Sequence, residues 1–549
     1  MPRPLNSLRF GTVAAGHPLT ADAGLRILEA GGNAYDAAVA SVLVSCVVEP
    51  ALTSLGGGGF LLAAPVNARP GLFDFFVQTP RLKRRPNHVD FRTVGVHFGD
   101  ATQHFNIGLG AAGVPGMPAG LWHVQRTLGR LPMSEVVLPA VELARKGHEI
   151  NTFQAWCMGA LEAIMLDQAA GSALFAKQAS GELPQEPPAD HAALASSTTP
   201  RLRGAGDSLQ FPALAELLDY LGRHGEKEFY HGEVAAAVSQ ACADHGGYLN
   251  RADFGAYRVE ERQVLRARYR DVDVLTNPSP SSGGSLIAFA LSLMEAGGSR
   301  FPPFGSAAWL ERMVRVQDLT NRARRVGFDP VRHDRAAVDA WLSADGLQPW
   351  VRELSRERRH GQDFLGTTTH ISVLDAAGNA ASVTSSVGQG CGYIMPGTDT
   401  MLNNMLGEAD LNPDGFHEWI PNQRLSSMMS PTIVQKDGRV RLVLGTGGAN
   451  RIRTAIGLVL HQVLDLGVDL ETAVGAPRLH LSDGDQGVLD LEGGFDPDAY
   501  HGLEASSAFK LRPWQDRNMY FGGVHTIGCD ERGVQAVADA RRAGAVAQG

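Results

Sequence analysis

Cysteine is scarce in this chain of 549 residues. The five, Cys46, Cys157, Cys242, Cys391 and Cys529, are odd in number, scattered and never in a CxxC spacing. That excludes a disulfide framework and a cysteine-built zinc site, and it fits a reducing compartment. Long apolar runs are missing too. The longest, about residues 37–48, stops at Glu49-Pro50, short of the roughly 20 residues a spanning helix needs. The N-terminus Met1-Pro2-Arg3-Pro4-Leu5-Asn6-Ser7-Leu8 has no apolar signal core, so the sequence reads as a cytoplasmic protein with no membrane partner. Positive charge is in deficit: 49 Lys and Arg stand against 58 Asp and Glu, a net charge of -9, which argues against nucleic acid as a partner. No Gly-Lys-Ser/Thr follows the glycines Gly56 to Gly59, so they are a tight turn and not a phosphate loop. Residues Gly108 to Gly113 match the dinucleotide fingerprint by letter, but Pro115 and Pro118 fall where the phosphate-binding helix would begin. Neither a cofactor nor a metal is expected.

What is present is a chain able to bury a large core, with 44% hydrophobic and 19% charged residues. The first 60 residues read as helices punctuated by glycine, with Asn33 capping a helix that runs to about Val48. Phe60 to Ala63 and Gly71 to Phe76 read as buried strands. Residues 119–245 are mostly helical, with a polar loop at about 179–204, and residues 264–275 return to strand. A rigid turn, Asn277 to Gly284, leads into an apolar helix over 285–294, and helix continues to a solvated Arg/Glu-rich end at 352–359. From Thr368 onward strands dominate, with helices near 455–466 and 470–475. The expected architecture is therefore α+β, two stacked sheets between helix layers, with both parts of the chain sharing one core.

The boundary between the two parts is Gly366-Thr367-Thr368-Thr369-His370-Ile371-Ser372-Val373, followed by the turn Asp375 to Asn379. If Leu374 pairs with Ala380 across that turn, position sums are constant and Thr368 faces Ser386. Residues two apart share a face of a strand, so Thr368, His370 and Ser372 point one way.

Several motifs now stand in order. They are Gly31-Gly32-Asn33-Ala34-Tyr35-Asp36-Ala37-Ala38, Leu55-Gly56-Gly57-Gly58-Gly59-Phe60, Val114-Pro115-Gly116, Glu228-Phe229-Tyr230, Pro280 to Gly284 and Thr368-Thr369-His370. Leu402-Asn403-Asn404, Leu425-Ser426-Ser427-Met428, Ser430-Pro431-Thr432, Gly447-Gly448 and Ala538-Asp539-Ala540-Arg541-Arg542 follow. Together they resemble the gamma-glutamyltranspeptidases, over nearly the whole chain. The resemblance implies the four-layer αββα sandwich of N-terminal-nucleophile hydrolases. It also implies self-cleavage between Thr367 and Thr368 into a large subunit, 1–367, and a small subunit, 368–549. The two would stay associated, with a dimer of such pairs allowed.

A threonine hydroxyl needs a base. A free α-amino group on the same residue supplies one, since it titrates near 7.7–8.0. Cleavage must therefore precede activity: Thr368 would be nucleophile and its amine the base. Ser386 would orient the hydroxyl, where the family usually has a second threonine. His370 is then unnecessary as a base and reads as a packed or hydrogen-bonded strand histidine. Gly447 and Gly448 resemble the family's oxyanion loop, with Ala449 beside them. The substrate would be a small-molecule γ-glutamyl compound of the glutathione type, with water or an amine as acceptor.

The substrate pocket departs from the pattern. Phe76 stands where the family has the arginine that clamps the substrate carboxylate, and a phenyl ring cannot form that bidentate pair. Gly388 replaces the asparagine after the second threonine. Glu408 keeps a carboxylate that can take an ammonium. Met428-Met429 adds a residue to the Ser-Ser-Met motif, so of Ser426 and Ser427 the second aligns better. Arg424 and Arg451 are the candidate substitutes for the lost clamp. The alternative reading is an amidase or acylase of the same family that takes a non-γ-glutamyl acyl group.

Overall fold

The computed structural model describes residues 8–98, 101–177, 200–354, 367–482, 487–506 and 509–549. Most of the polar loop expected at 179–204, and residues 355–359 of the Arg/Glu-rich end, lie outside them.

Two antiparallel sheets form the centre. In chain order their strands are β1 (Gly11–Ala15), β2 (Gly58–Ala64), β3 (Gly71–Phe75), β4 (Glu260–Arg262), β5 (Leu265–Tyr269), β6 (Val272–Thr276), β7 (Thr369–Asp375), β8 (Ala380–Ser386), β9 (Thr432–Lys436), β10 (Arg439–Gly445), β11 (His525–Asp530), β12 (Gly533–Val537) and β13 (Ala545–Gln548). The first sheet runs β13-β1-β7-β8-β2-β3-β4 and the second β12-β11-β10-β9-β6-β5. Each draws strands from both parts of the chain, so both sides of the Thr367–Thr368 bond contribute to both sheets. The helices α1 (Pro18–Glu29), α2 (Ala34–Val48) and α3 (Met117–Leu128) cover the first sheet. The helices α4 (Ser282–Ala296) and α5 (Arg451–Leu464) cover the second. The expected αββα order of layers holds.

The central strand pair explains which residues face where. Ile371, Val373, Ala381 and Val383 turn outward and join the apolar cluster under α1 and α2. Every residue of α2 is buried, as expected of a helix apolar on all sides. Asn33 caps it: its side chain accepts from the N–H groups of Tyr35 and Asp36, and Asp36 reaches back to the Asn33 N–H. The opposite face of β7 and β8 meets the second sheet and carries hydroxyls. Ser382 Oγ donates to the Leu444 carbonyl and Ser372 Oγ to the His525 carbonyl, both at 3.1 Å.

The structure differs from expectation in several places, among them the helix expected near 455–466, which starts at Arg451. A strand, β1, precedes the first helix, because Gly11 to Ala15 pairs between β7 and β13. The apolar helix after the Pro-Ser turn starts at Ser282, three residues early. A helix over Pro497–Ser506 interrupts the sheet-rich part. Gly108 to Gly113 does form a loop, with one 3-10 turn at Leu109–Ala111.

Candidate active site

Leu374 pairs with Ala380 and Thr369 with Ser385, so the hairpin has the register expected from its turn. One step further, Thr368 faces Ser386 with their hydroxyl oxygens 3.4 Å apart. Both hydroxyls aim at one atom. Thr368 Oγ1 donates to the carbonyl oxygen of Thr367 at 2.6 Å, and Ser386 Oγ donates to the same oxygen at 2.6 Å. Ser386 Oγ in turn accepts from the Gly388 N–H at 2.9 Å, and the Thr367 hydroxyl bonds the Gly388 carbonyl. The Thr367–Thr368 peptide is thus gripped by hydrogen bonds in a buried place.

Strand alternation sends Thr369 to the other face. Its hydroxyl donates to Glu49 at 2.8 Å, and Thr20 donates to the other oxygen of the same carboxyl at 2.9 Å. Burial pushes Glu49 up to about 7. His370 binds Thr384 through Nδ1 at 2.8 Å and Ser372 through Nε2 at 3.0 Å. Burial drives its pKa well below the ordinary value. It is the hydrogen-bonded strand histidine expected, with both nitrogens engaged.

Gly447 lies against the carbonyl oxygen of Thr368, where a Cβ would come within 2.0 Å. Gly448 takes a φ of 128° and Ala449 one of 46°, so the loop is left-handed at two successive residues just before α5. Arg542 reaches in behind it and donates to the Thr368 carbonyl at 2.9 Å.

A small pocket opens over Thr368. Phe76, Met405, Leu411, Met428, Met429, Ala449 and Ile452 give it apolar walls, and Ser386, Ser427, Glu408 and Asp410 add polar groups. Phe76 is buried and stacks on Phe60, ring centroids 5.4 Å apart. Asp410 is held by Arg324 at 3.1 Å. Glu408 Oε1 has no hydrogen-bond partner. Burial, with Asp410 adding repulsion, pushes Glu408 up to about 8. Gly388 leaves the room Glu408 occupies: a Cβ there would come within 2.3 Å of Glu408 Oε1.

Ser427 lines this pocket, whereas Ser426 lines the adjoining cleft with Arg332, Asn412 and Arg424. The extra methionine leaves one serine of the pair at the pocket. Neither candidate arginine is among the pocket's lining residues. Arg424 is buried and donates to the Phe76 carbonyl at 2.5 Å, the Tyr257 hydroxyl at 2.6 Å and the Arg258 carbonyl at 2.6 Å, with Asp74 at 3.3 Å. Arg451 donates to the Tyr520 carbonyl at 3.0 Å and lies over the Tyr520 ring. Both are tied into the scaffold.

Sequence reasoning passed over Glu49, Asp410 and, as a site residue, Arg542. Glu49 had one signal, a carboxylate closing an otherwise apolar run. Among the described residues no cluster of His, Cys, Asp or Glu is arranged to hold a metal, and no helix is long and apolar enough to cross a membrane.

The family model described as Gamma-glutamyltranspeptidase matches residues 20–549. The chain is similar to the "Glutathione hydrolase proenzyme" of Escherichia coli (strain K12), 31% identical over 90% of this chain and 85% of that protein. It is also similar to the "Acylase ACY 1 proenzyme" of Pseudomonas sp. (strain V22), 29% identical over 88% of this chain and 84% of that one. Its fold is like that of a cephalosporin acylase from Bacillus halodurans, with a TM-score of 0.82 over 98% of this chain and 96% of the other, at 22% identity.

Proposed function

Since the chain belongs to the gamma-glutamyltranspeptidase family, we propose that it is the precursor of an N-terminal threonine amidase that prefers an apolar acyl group to a γ-glutamyl one. The first step is maturation. The Thr368 hydroxyl attacks the Thr367 carbonyl carbon, and the C–N bond breaks as the amine takes a proton. Water then hydrolyses the ester that links Thr367 to the Thr368 oxygen. Residues 1–367 and 368–549 result, the second beginning with a free amine. Ser386, which donates to the Thr367 carbonyl at 2.6 Å, would stabilise the oxyanion of this step. In turnover the Thr368 amine takes the hydroxyl proton, the oxygen attacks the substrate amide, and the C–N bond breaks as the Thr368 ammonium passes that proton to the leaving amine. Water or an acceptor amine then resolves the acyl-threonine.

The observation that carries the substrate reading is the pocket wall over Thr368. Phe76 stands at the clamp position among methionines and aliphatic side chains. Arg424 and Arg451 are both engaged elsewhere. An acyl group bearing a carboxylate would be buried there without a cation, at high cost. Glu408 favours a second reading, hydrolysis or transfer of a γ-glutamyl group, because its unpartnered oxygen can take an α-ammonium. The two part on a matched pair of anilides. Phenylacetyl-p-nitroanilide should exceed γ-glutamyl-p-nitroanilide in kcat/KM by at least about tenfold, the equivalent of 1.4 kcal/mol. The reverse order would sink the apolar-acyl reading and favour the second.

A further inference from the structure

Arg542 is an anomaly in the scaffold. It is 3% exposed, and among the described residues no carboxylate lies within ion-pair distance of it. Its guanidinium donates to two carbonyls, Thr368 at 2.9 Å and Met519 at 3.3 Å, and Nε has no partner. The acids that act on it do so from beyond ion-pair distance: Asp539 is bound by Arg478 at 2.6 Å and by Arg541, and Glu49 takes hydrogen bonds from Thr20 and Thr369. A buried cation with no carboxylate in contact is costly to keep. The chain nevertheless clears a path for it. A Cβ on Gly523 would come within 2.6 Å of its stem, and one on Gly447 within 2.8 Å of its Nη1.

We propose that Arg542 sets the proton affinity of the Thr368 amine, keeping that base free at neutral pH. The inference rests on the reading of Thr368 as a new amino terminus. A guanidinium on the Thr368 carbonyl stands roughly 5 Å from the nitrogen of the same residue. Two cations at that spacing oppose each other. At an effective dielectric constant of about 20 the ammonium loses its proton about two pH units sooner. The sign follows from the chemistry: an α-ammonium that ordinarily titrates at about 7.7–8.0 would be mostly charged at pH 7, and a charged amine cannot accept the hydroxyl proton.

The other groups around the amine do not cancel this. His370 and His525 are held neutral by burial, His525 down to about 4. Cys46 and Cys157 are pushed up to about 12 and carry no charge. On the pocket side, Glu408 is pushed up to about 8 and Asp410 is paired with Arg324. Arg451 acts in the same sense as Arg542. Asp539 is bound by Arg478 and Arg541. Glu49 opposes it, but touches Thr369 and not Thr368. Burial lowers Arg542 itself to about 10, so it stays cationic through the range that matters.

The amine can be titrated without a substrate. Mature enzyme is labelled with trace acetic anhydride from pH 5 to 10, and acetylation of the peptide beginning at Thr368 is read by mass spectrometry. The wild-type midpoint should lie at about 6 to 7. Arg542→Gln should raise it by about one to two units, and Arg542→Lys should restore it. A wild-type midpoint above about 7, approaching the ordinary 7.7–8.0, overturns the proposal. So does an Arg542→Gln midpoint equal to wild type, since a purely structural arginine would change yield and leave the midpoint unmoved. If Arg542→Gln fails to fold or mature, the wild-type and lysine midpoints decide. Absence of any peptide beginning at Thr368 would instead refute the maturation reading.

Discussion

Removing the Ser386 hydroxyl should slow maturation far more than it weakens the fold. In the structure that hydroxyl donates to the Thr367 carbonyl at 2.6 Å and accepts from the Gly388 N–H at 2.9 Å, both in buried surroundings. In the proposed attack by Thr368 the negative charge would gather on the Thr367 oxygen. A donor placed there before the reaction costs no reorganisation. Loss of one such donor elsewhere costs about 10²–10³ in rate, or about 2.7–4 kcal/mol. Ser386→Ala should therefore slow self-cleavage by about that factor. The orphaned Gly388 N–H should lower stability by about 1–3 kcal/mol, too little to unfold a domain of this size. Ser386→Thr keeps the donor and should cleave within about tenfold of wild type. The assay is the loss of full-length chain with time on a denaturing gel, beside a thermal melt of the same samples. Cleavage of Ser386→Ala at close to the wild-type rate, in a folded sample, would refute the role given to this hydroxyl.

Two further changes probe the pocket and scaffold. Arg424→Met removes the buried partner of Asp74, which keeps Arg262 at 2.7 Å. It should cost about 3 kcal/mol in denaturant unfolding while leaving the ratio of phenylacetyl to γ-glutamyl activity unchanged; a changed ratio would make Arg424 part of the acyl site. Glu408 is pushed from the ordinary carboxyl range up to about 8, so the native state holds its proton more tightly than the unfolded chain does. Its contribution to stability is full below about pH 4.5 and is lost as pH rises to about 8, by up to about 4–5 kcal/mol. The melting-temperature advantage of Glu408→Gln over the parent should accordingly grow between pH 5 and 8 and level off above. Parallel curves would contradict it. Subtracting the parent removes the opposing trend from buried histidines such as His525.

Much of the fold was legible because it is written in short-range rules. The Asn33 cap fixes where α2 begins. The turn after Asp375 fixes the register that brings Thr368 to Ser386. Ordered motifs carry the family across the whole chain. What was not legible depends on partners far apart in sequence. Strand β1 has little local signal, since Gly11 to Ala15 becomes a strand only by inserting between β7 and β13. Whether Arg424 faced the pocket could not be read from spacing. Asp74, Tyr257 and the Phe76 carbonyl, contributed by other segments, turn it away. The same holds for Glu49 and Arg542, 493 positions apart in sequence, which act on adjacent residues of the threonine stretch.

The central claim is that the bond between Thr367 and Thr368 is cut by the Thr368 hydroxyl. The most direct measurement is the intact mass of purified protein under denaturing conditions, for wild type and Thr368→Ala. Wild type should give two polypeptides, one ending at Thr367 and one starting at Thr368, and Thr368→Ala should give one uncut chain. A wild-type protein that remains a single chain, or a Thr368→Ala variant that yields the same two fragments, would contradict the claim.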